Sequence, residues 1–196
     1  IGVLNSEKIK FTPKLPNKTQ KALNGIQMGL LVKIALLFDG NRLGFTENSF
    51  LQYDIAPENI GSGCYFLAWP TGHDYIVGFI GGRFAWNLSK QGEDEVVEYA
   101  LSKLVNLSGS NIRKHFLKGF ASDWATNPLT KGSYSAVKPG YYGARELLNE
   151  PIAEKLIFAG EATAGDLAGL VNGAYESGKK AATRISNIIK LKNKSL

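Results

Sequence analysis

Cysteine is nearly absent from this chain, since Cys64 is the only one among its 196 residues. A single thiol cannot form an internal disulfide, so nothing in the sequence requires an oxidising compartment, and we expect a cytoplasmic protein. Long apolar runs are missing as well. The longest, from Leu30 to Phe38, is interrupted by Lys33 and falls well short of the ~18–20 residues of a membrane helix, so we expect no membrane association.

A regular glycine or proline repeat is also absent. The 22 glycines and 7 prolines follow no period, which excludes a collagen-like chain. With 44% apolar and 11% aromatic residues, the chain can bury a substantial core, and its length allows one domain or one and a half. We therefore expect a globular protein or a piece of one.

Excess positive charge is confined to the C-terminal end of the chain. The net charge is +6, from 23 Lys and Arg against 17 Asp and Glu. From Lys179 onward there are six basic residues and no acidic one, so the preceding part is neutral. Cations there complement the negative end of a helix dipole, whereas a nucleic-acid-binding protein would spread them along a stripe with interleaved aromatic residues. We expect no nucleic-acid partner, and the sequence does not specify an oligomeric state.

Local patterns predict a mixture of strands and helices. Strands are predicted at Ile9–Phe11, Leu30–Phe38, Phe50–Tyr53, Cys64–Trp69, Tyr75–Ile80, His115–Phe120 and Lys155–Gly160. The second of these is expected to be buried on most of both faces, and the last to be a compact buried strand. The fourth and fifth are separated by a short loop containing proline and glycine, which predicts a hairpin.

Three helices are predicted from apolar spacing and end signals. Pro16 and Gly25 bracket a short helix at Asn17–Asn24. A second helix is predicted at Val96–Leu107, with Ser89 as its candidate cap. A long final helix carries an apolar face made of Ala174, Ala181, Ile185, Ile188 and Ile189.

The richest element of the sequence is a strand, a glycine turn and a helix between residues 156 and 189. Such an arrangement directs unpaired backbone N–H groups and the positive end of the helix dipole at one spot, which suits phosphate or a ring carrying negative charge. Gly169 and Gly173 would let a ligand approach that backbone, and Glu161 suits bonds from sugar hydroxyls. The alternative is that these glycines only let the helix pack tightly, and spacing alone does not decide between the two.

The order of residues in this element resembles the C-terminal flavin motif of the FAD-dependent amine oxidases, a superfamily of monoamine oxidases, polyamine oxidases and flavin histone demethylases. The resemblance is carried by Leu156–Thr163 (LIFAGEAT) and Gly169–Gly178 (GLVNGAYESG). Upstream, Trp124, Pro128 and Gly132–Ser135 are similar to the family's W-x3-P-x3-G-S-Y segment. The stretch from Gly29 to Asp39 resembles the strand that bears the family's active-site lysine.

The resemblance implies an α+β or α/β fold in two parts. Residues 1–125 would form part of the substrate-binding domain, a mixed sheet flanked by helices. Residues 126–196 would supply the C-terminal strand and helix of the FAD-binding, Rossmann-like domain. No G-x-G-x-x-G motif follows a strand, since in the nearest string, which starts at Gly61, Phe66 stands at the third glycine. The ADP-binding half would therefore precede residue 1, which is Ile rather than Met, and we expect a fragment rather than a chain lacking only a disordered start.

The resemblance also implies a role for each matching residue. Lys33 would be the catalytic residue and hold a water near flavin N5. Gly160 and Glu161 would contact the phosphate and ribityl parts of FAD. The Val171 N–H would bond the flavin pyrimidine carbonyl, where the helix dipole stabilises the anionic reduced ring. The implied cofactor contacts are Trp124, Gly160, Glu161, Gly169, Leu170, Val171 and Ala174, and the implied substrate contacts are Tyr134, as one wall of an aromatic sandwich, and Leu170.

The implied activity is oxidation of a small-molecule amine to an imine and then an aldehyde, with FAD as cofactor and O2 reduced to hydrogen peroxide. Two alternatives stay open: a related flavin desaturase or porphyrinogen-type oxidase, and a non-catalytic fragment that binds no cofactor. Lys33 with Trp124 and the Gly132–Tyr134 run favours amine oxidation over the related flavin enzymes. The isolated chain is expected to be inactive, because half of the cofactor site would lie outside it.

Two positions depart from the family pattern. Ser133 stands where the mitochondrial monoamine oxidases place the cysteine that tethers the flavin, so FAD is expected to bind without a covalent bond. Leu170 stands where those enzymes have the second aromatic wall, so their amine preference does not carry over.

Lys33, Cys64 and the two histidines can also be interpreted from their chemistry, without the resemblance. Lys33 interrupts an apolar strand, so it lies either at a sheet edge, where it reaches water, or beside a cavity, where it can poise a water or a proton. Cys64 opens a predicted strand and is interpreted as a small core residue. His73 and His115 have no Cys, Asp or Glu at metal-ligand spacing, so we expect no metal site.

Overall fold

A computed structural model of the chain describes residues 1–52, 55 and 57–194. Its α-helices are α1 (Asn17–Asn24), α2 (Gly82–Ser89), α3 (Glu93–Ser108), α4 (Ile112–His115), α5 (Ala144–Leu148) and α6 (Val171–Lys194). Its strands are β1 (Ile26–Gly29), β2 (Leu31–Phe38), β3 (Ser49–Leu51), β4 (Tyr65–Ala68), β5 (Tyr75–Gly81), β6 (Phe116–Ala121) and β7 (Tyr134–Val137). Short 3-10 turns lie at Leu4–Ser6, Pro57–Ser62, Pro70–Gly72, Glu161–Thr163 and Gly165–Leu167.

The chain packs as two compact units. The sheet unit is Leu30–Ser133, and the terminal unit joins Ile1–Gly29 to the chain from Tyr134 onward. The sequence predicts a single boundary after residue 125, whereas in the structure the first 29 residues pack with the C-terminal part. The physical reason is the antiparallel pairing of β1 with β7, which ties the two ends of the chain together. The substrate and FAD roles of the two parts stay predictions.

The sheet unit is built on a five-stranded sheet in the order β3-β4-β5-β2-β6. Every described pair in it is antiparallel, so the predicted mixed sheet is an antiparallel one. Burial alternates along β2, because side chains of a strand point to opposite faces in turn. Val32, Ile34 and Leu36 are fully buried beneath α2 and α3, and each contributes about 1.5–3 kcal/mol of hydrophobic stabilisation. The expectation of burial on most of both faces of this strand is therefore wrong.

The other face of this sheet, which we call the open face, is mostly apolar and at least partly exposed. One row of paired residues crosses it through Phe50, Leu67, Val77, Ala35 and Phe120. The neighbouring row holds Tyr65, Phe79 and Lys33. Phe50 and Phe120 are 75% and 61% exposed. A contiguous exposed apolar surface of this kind is typical of a binding site.

The terminal unit has a smaller core. Its buried residues are Ala22, Leu23, Ile26, Ala144 and Leu148, contributed by α1, β1 and α5. Helix α6 buries Gly173 and Ser177, and Ala174, Ala181, Ile185 and Ile188 are half-buried at helical spacing, as the sequence predicts. Ile189 is the exception to the predicted apolar face, because it is 53% exposed.

Several predicted elements are confirmed. Helix α1 has the predicted bounds, with Pro16 and Gly25 as its flanking residues. Strands β4 and β5 pair antiparallel, which confirms the hairpin. The predicted second helix lies within α3, and β6 matches the predicted strand near Phe116. The strand predicted at Phe50–Tyr53 is β3, although Tyr53 lies outside the described residues.

Three local predictions are wrong. Residues 9–11 form no strand, and Ser89 is the last residue of α2, while Gly92 flanks the start of α3. The segment Lys155–Gly160 is half-buried at most. Its Leu156 forms an isolated β-bridge with Ile152, which lies just before the segment. A strand needs a partner that supplies ladder hydrogen bonds, and within the described residues no strand pairs with residues 157–160.

The environment of Cys64 confirms its interpretation as a core residue. Its side chain is fully buried, and this burial raises the pKa of the thiol to about 12. Such a thiol is an inert apolar group at neutral pH. Within the described residues, no helix is long and apolar enough to cross a membrane, and no cluster of three or more His, Cys, Asp or Glu side chains is placed to hold a metal ion.

Candidate functional site

The glycine turn of the terminal unit ends at the first residue of α6. Gly160 and Gly169 have φ of +137° and +80°, a backbone region that favours glycine. Val171 is the first residue of α6, as the family resemblance implies, and is 89% exposed. In the part of the chain that the structure describes, the N–H groups of Val171 and Asn172 have no acceptor. The start of a 24-residue helix is thus open to a ligand.

The Glu161 carboxylate joins this turn to strand β7. Its Oε1 accepts a hydrogen bond from the Ser135 N–H at 2.9 Å, and its Oε2 accepts one from the Ser135 hydroxyl at 2.8 Å. Its Oε2 also accepts the Gly169 N–H at 2.7 Å. A carboxylate offers about four lone-pair positions, and these three hydrogen bonds use three of them within the protein.

A second group of hydrogen bonds attaches the other end of the turn to α6. The Gly160 N–H donates to the Ser177 hydroxyl at 3.2 Å, and the Thr163 hydroxyl donates to the Gly160 carbonyl at 3.0 Å. The Ser177 and Thr163 hydroxyl oxygens are 2.6 Å apart and both residues are buried. The turn is therefore fixed at Gly160 and at Gly169, on either side of the exposed residues that precede the helix.

Gly173 has a structural role rather than the predicted ligand contact. A Cβ at this position would lie 2.0 Å from the Leu167 carbonyl oxygen and 2.9 Å from the Leu167 carbonyl carbon. The missing side chain therefore lets α6 pack against the turn at Gly165–Leu167. For this glycine the tight-packing alternative is correct, whereas Gly169 owes its identity to its positive φ.

Tyr134 lies on strand β7 opposite Gly29 of strand β1. Its side chain is exposed, and its ring lies over Gly29, where a Cβ would come within 2.8 Å of the Tyr134 Cε2 atom. The Tyr134 Cβ is also the nearest atom to a Cβ built on Gly169, at 3.9 Å. The structure thus brings the predicted substrate residue Tyr134 close to the predicted cofactor residues Glu161 and Gly169.

Lys33 lies on the open face of the sheet unit. Strand β2 is flanked by β5 and β6, so Lys33 is not at a sheet edge, and its exposed side chain pairs with Phe79 across the β2–β5 ladder. Its main chain exchanges two hydrogen bonds with Ser122: the Lys33 N–H donates to the Ser122 hydroxyl at 3.0 Å, and the Ser122 N–H donates to the Lys33 carbonyl at 2.9 Å.

The predicted W-x3-P-x3-G-S segment lies in the loop between β6 and β7, and hydrogen bonds near both ends of this loop attach it to β2. Trp124 follows Ser122 by two residues and is exposed; its carbonyl accepts the Gly132 N–H at 2.7 Å, which closes the loop. The Ser133 hydroxyl donates to the Leu31 carbonyl at 3.0 Å and accepts the Leu31 N–H at 3.1 Å. The loop that carries Trp124 is thereby held to strand β2 at Lys33 and at Leu31.

The structure assembles the predicted residues in two groups. In the sheet unit it joins Lys33 to Trp124 through Ser122. In the terminal unit the predicted residues are Tyr134, Gly160, Glu161, Gly169, Leu170, Val171 and Ala174, and they lie on β7, on the glycine turn and on the first turn of α6. Ala174 is half-buried and closes that first turn, because its N–H donates to the Leu170 carbonyl at 3.1 Å.

Sequence reasoning missed the residues that hold these groups in place. They are Gly29, Ser122, Ser135 and Arg145, whose partners lie between 10 and 105 residues away along the chain. Ser135 directly follows Tyr134 in the sequence, and this position could have indicated that it helps to hold Tyr134 in place. Arg145 lies in a segment without a motif, so only the folded structure reveals its contacts.

The family described as flavin containing amine oxidoreductase matches residues 1–186. "Lysine-specific histone demethylase 1 homolog 2" of Arabidopsis thaliana is 31% identical over 193 residues, which cover 96% of this chain and 26% of that protein. "Polyamine oxidase 5" of Oryza sativa subsp. japonica is 36% identical over 186 residues, 93% of this chain and 36% of that protein. "Polyamine oxidase 4" of the same plant is 35% identical over 187 residues, 93% and 37% of the two chains.

The chain belongs to the flavin containing amine oxidoreductase family, because the match covers nearly its whole length. It spans between about a quarter and somewhat more than a third of the length of these curated relatives. The description of this family names a flavin and oxidoreductase chemistry on amines.

The donor groups of the terminal unit fit such a cofactor. A flavin nucleotide has anionic phosphates, hydroxyls and ring carbonyls, all of which accept hydrogen bonds. The open N–H groups of Val171 and Asn172 supply donors at the positive end of the helix dipole. A Cβ built on Gly160 would meet nothing within 4 Å, so a ligand can approach this backbone closely.

Proposed function

We propose that the protein to which this chain belongs is an FAD-dependent amine oxidase. The amine is oxidised to an imine, water hydrolyses the imine to an aldehyde and a smaller amine, and O2 takes up two electrons and two protons to give hydrogen peroxide. A bound FAD would supply the two-electron acceptor for this oxidation. The remaining work belongs to the protein: binding, orienting, excluding water and placing protons.

The position of Lys33 is the observation that supports this proposal most strongly. Lys33 is an exposed lysine in the interior of the sheet, in a row with Tyr65 and Phe79, at a kind of strand position where β-branched and aromatic residues are usual. Its three N–H donors can hold one water in place beside Phe79. We assign Lys33 as the catalytic residue that holds this water.

The cofactor contacts are assigned to the start of α6 and to the turn before it. The Val171 N–H would donate to a ring carbonyl, and the helix dipole would favour negative charge there. Gly160, Gly169, Leu170 and Ala174 would contact the cofactor through backbone and small side chains, and Trp124 would pack beside the ring system. Ser133 is hydrogen-bonded to Leu31 through both its proton and a lone pair, which supports non-covalent binding of FAD.

The substrate is assigned as an amine with an apolar segment. In the sheet unit, the aromatic and aliphatic residues of the open face suit the carbon chain of such a molecule. In the terminal unit, Tyr134 is assigned as an aromatic wall and Leu170 as an aliphatic one. The relatives named above, polyamine oxidases and histone demethylases, indicate that polyamines and methylated lysine side chains are the amines to test. A cytoplasmic location is part of this proposal.

The test is amine-dependent peroxide release by the full-length protein after purification in the presence of FAD. We expect a yellow protein that keeps its flavin through dialysis and releases peroxide with a polyamine or an N-methylated lysine peptide. Lipophilic substrates without an amine serve as the control for desaturase or porphyrinogen-type activity. A full-length protein that holds no flavin, or that releases peroxide only with the lipophilic substrates, contradicts the proposal.

A further inference from the structure

Arg145 of helix α5 makes three hydrogen bonds that converge on the residues around Glu161. Its Nη1 donates to the Ser135 hydroxyl oxygen at 2.6 Å and to the Ala162 carbonyl at 2.9 Å. Its Nη2 donates to the Ser135 carbonyl at 3.1 Å. One guanidinium fork therefore holds strand β7 and the residue after Glu161 in a fixed relation.

The direction of this hydrogen-bonded chain is fixed by chemistry. A guanidinium group only donates, a carboxylate only accepts, and a serine hydroxyl has a single proton. Because Arg145 occupies a lone pair of the Ser135 oxygen, the Ser135 proton points to the Glu161 Oε2 atom at 2.8 Å. Ser135 is buried, so water does not compete for these bonds. We call the chain Arg145–Ser135–Glu161 the latch.

We propose that Arg145 is a positioning residue that acts through Ser135 and Glu161 to fix Tyr134 relative to the start of α6. Glu161 bonds Ser135, the residue after Tyr134, and the Gly169 N–H, two residues before Val171. One carboxylate thus sets the spacing between the residue assigned to the substrate and the residue assigned to the ring. The roles of Tyr134 and Val171 in this inference rest on the proposed function. The hydrogen bonds of the latch are observed in the chain itself and do not depend on that function.

The latch also changes the role expected for Glu161. With three of about four lone-pair positions used inside the protein, Glu161 has room for at most one bond from a cofactor hydroxyl. Its main contribution is then to hold the turn, and loss of the latch is expected to affect substrate binding more than cofactor retention.

The experiment compares Arg145→Lys and Ser135→Ala in the full-length protein, with Ser102→Ala as the matched control. Lysine cannot reproduce the guanidinium fork, and alanine removes the hydroxyl that relays its effect. Ser102 is a half-buried serine, and among the described residues its hydroxyl bonds the Tyr99 carbonyl of its own helix and no other group. Ser135→Ala is the smaller change, so it decides the outcome if Arg145→Lys does not fold.

The first readout is hydrogen exchange of the Gly169 amide in flavin-free protein. We expect exchange about tenfold faster in both latch variants and unchanged in the control, since the Glu161 carboxylate that accepts this amide is held less firmly in both variants. The second readout, in the flavin-loaded protein, is kinetic: KM for the amine is expected to rise about tenfold while kcat stays within about threefold and the flavin remains bound.

Exchange of the Gly169 amide at the wild-type rate in both variants would overturn the proposal. So would a faster exchange accompanied by wild-type KM, because Tyr134 would then be positioned without the latch. A wild-type protein that holds no flavin contradicts the proposed function instead, and the exchange rates of the flavin-free variants still decide whether the latch holds the turn.

Discussion

Replacement of Lys33 by Met is expected to slow amine oxidation about 100-fold or more while FAD stays bound. Met keeps the length and the apolar stem of the side chain and removes the three N–H donors. Lys33 bonds Ser122 through its own main-chain N–H and carbonyl and not through its side chain, so the strand and the Trp124 loop stay in place. The loss therefore reports on the ammonium group and not on the fold.

The measurement for this variant is rapid-mixing absorbance of the flavin, in which its reduction by amine and its reoxidation by O2 are followed separately. Lys90→Met is the matched control, since Lys90 is an exposed lysine at the end of α2, away from the open face. We expect one of the two steps to slow in Lys33→Met and neither in Lys90→Met. Wild-type rates for both steps in Lys33→Met would remove Lys33 from the mechanism.

Replacement of Gly173 by Ala is expected to destabilise the terminal unit by about 3 kcal/mol, at the high end of overpacking effects. The new Cβ would be placed 2.0 Å from the Leu167 carbonyl oxygen, and this neighbour is backbone that cannot rotate away. To relieve the clash, α6 has to move away from the turn at Gly165–Leu167, and the start of the helix moves with it. Flavin retention is expected to fall together with stability.

Gly178→Ala in the same helix is the matched control for this prediction. A Cβ at Gly178 meets nothing within 4 Å, so the substitution is expected to stabilise the protein by about 0.5–1 kcal/mol through helix propensity alone. Urea unfolding of both variants gives the comparison. If both alanines shift the unfolding midpoint equally, or if Gly173→Ala leaves it unchanged, α6 does not pack against this turn as described.

Local patterns in the sequence predicted the elements whose determinants are local. The helix at Asn17–Asn24 is set by Pro16 and Gly25, which lie next to it, and the long final helix α6 follows a glycine turn, as its apolar spacing predicts. In each case the residues that determine the structure lie within one or two turns or strand lengths of the element.

The features of the fold that the sequence patterns did not predict depend on contacts between residues far apart in the sequence. Strand β1 exists because Ile26 pairs with Val137, and the ring of Tyr134 rests on Gly29 across the same pairing. Arg145 reaches Ser135 only after the fold has formed. The converse error occurred at Lys155–Gly160, where apolar composition predicted a strand but no partner within the described residues pairs with residues 157–160. Composition indicates which segments can form strands, whereas pairing decides which of them do.

The central claim is that the N–H of Val171 donates to a flavin ring, and the reduction potential of the flavin in Val171→Pro tests it most directly. Proline is tolerated at the first position of a helix, so this variant removes one donor and keeps α6. Val171→Ala keeps the donor and serves as the control. Loss of a hydrogen bond worth about 1.4 kcal/mol to the reduced form lowers the potential of a two-electron couple by about 30 mV. We expect that shift in the proline variant alone, and equal potentials in the two variants would contradict the account.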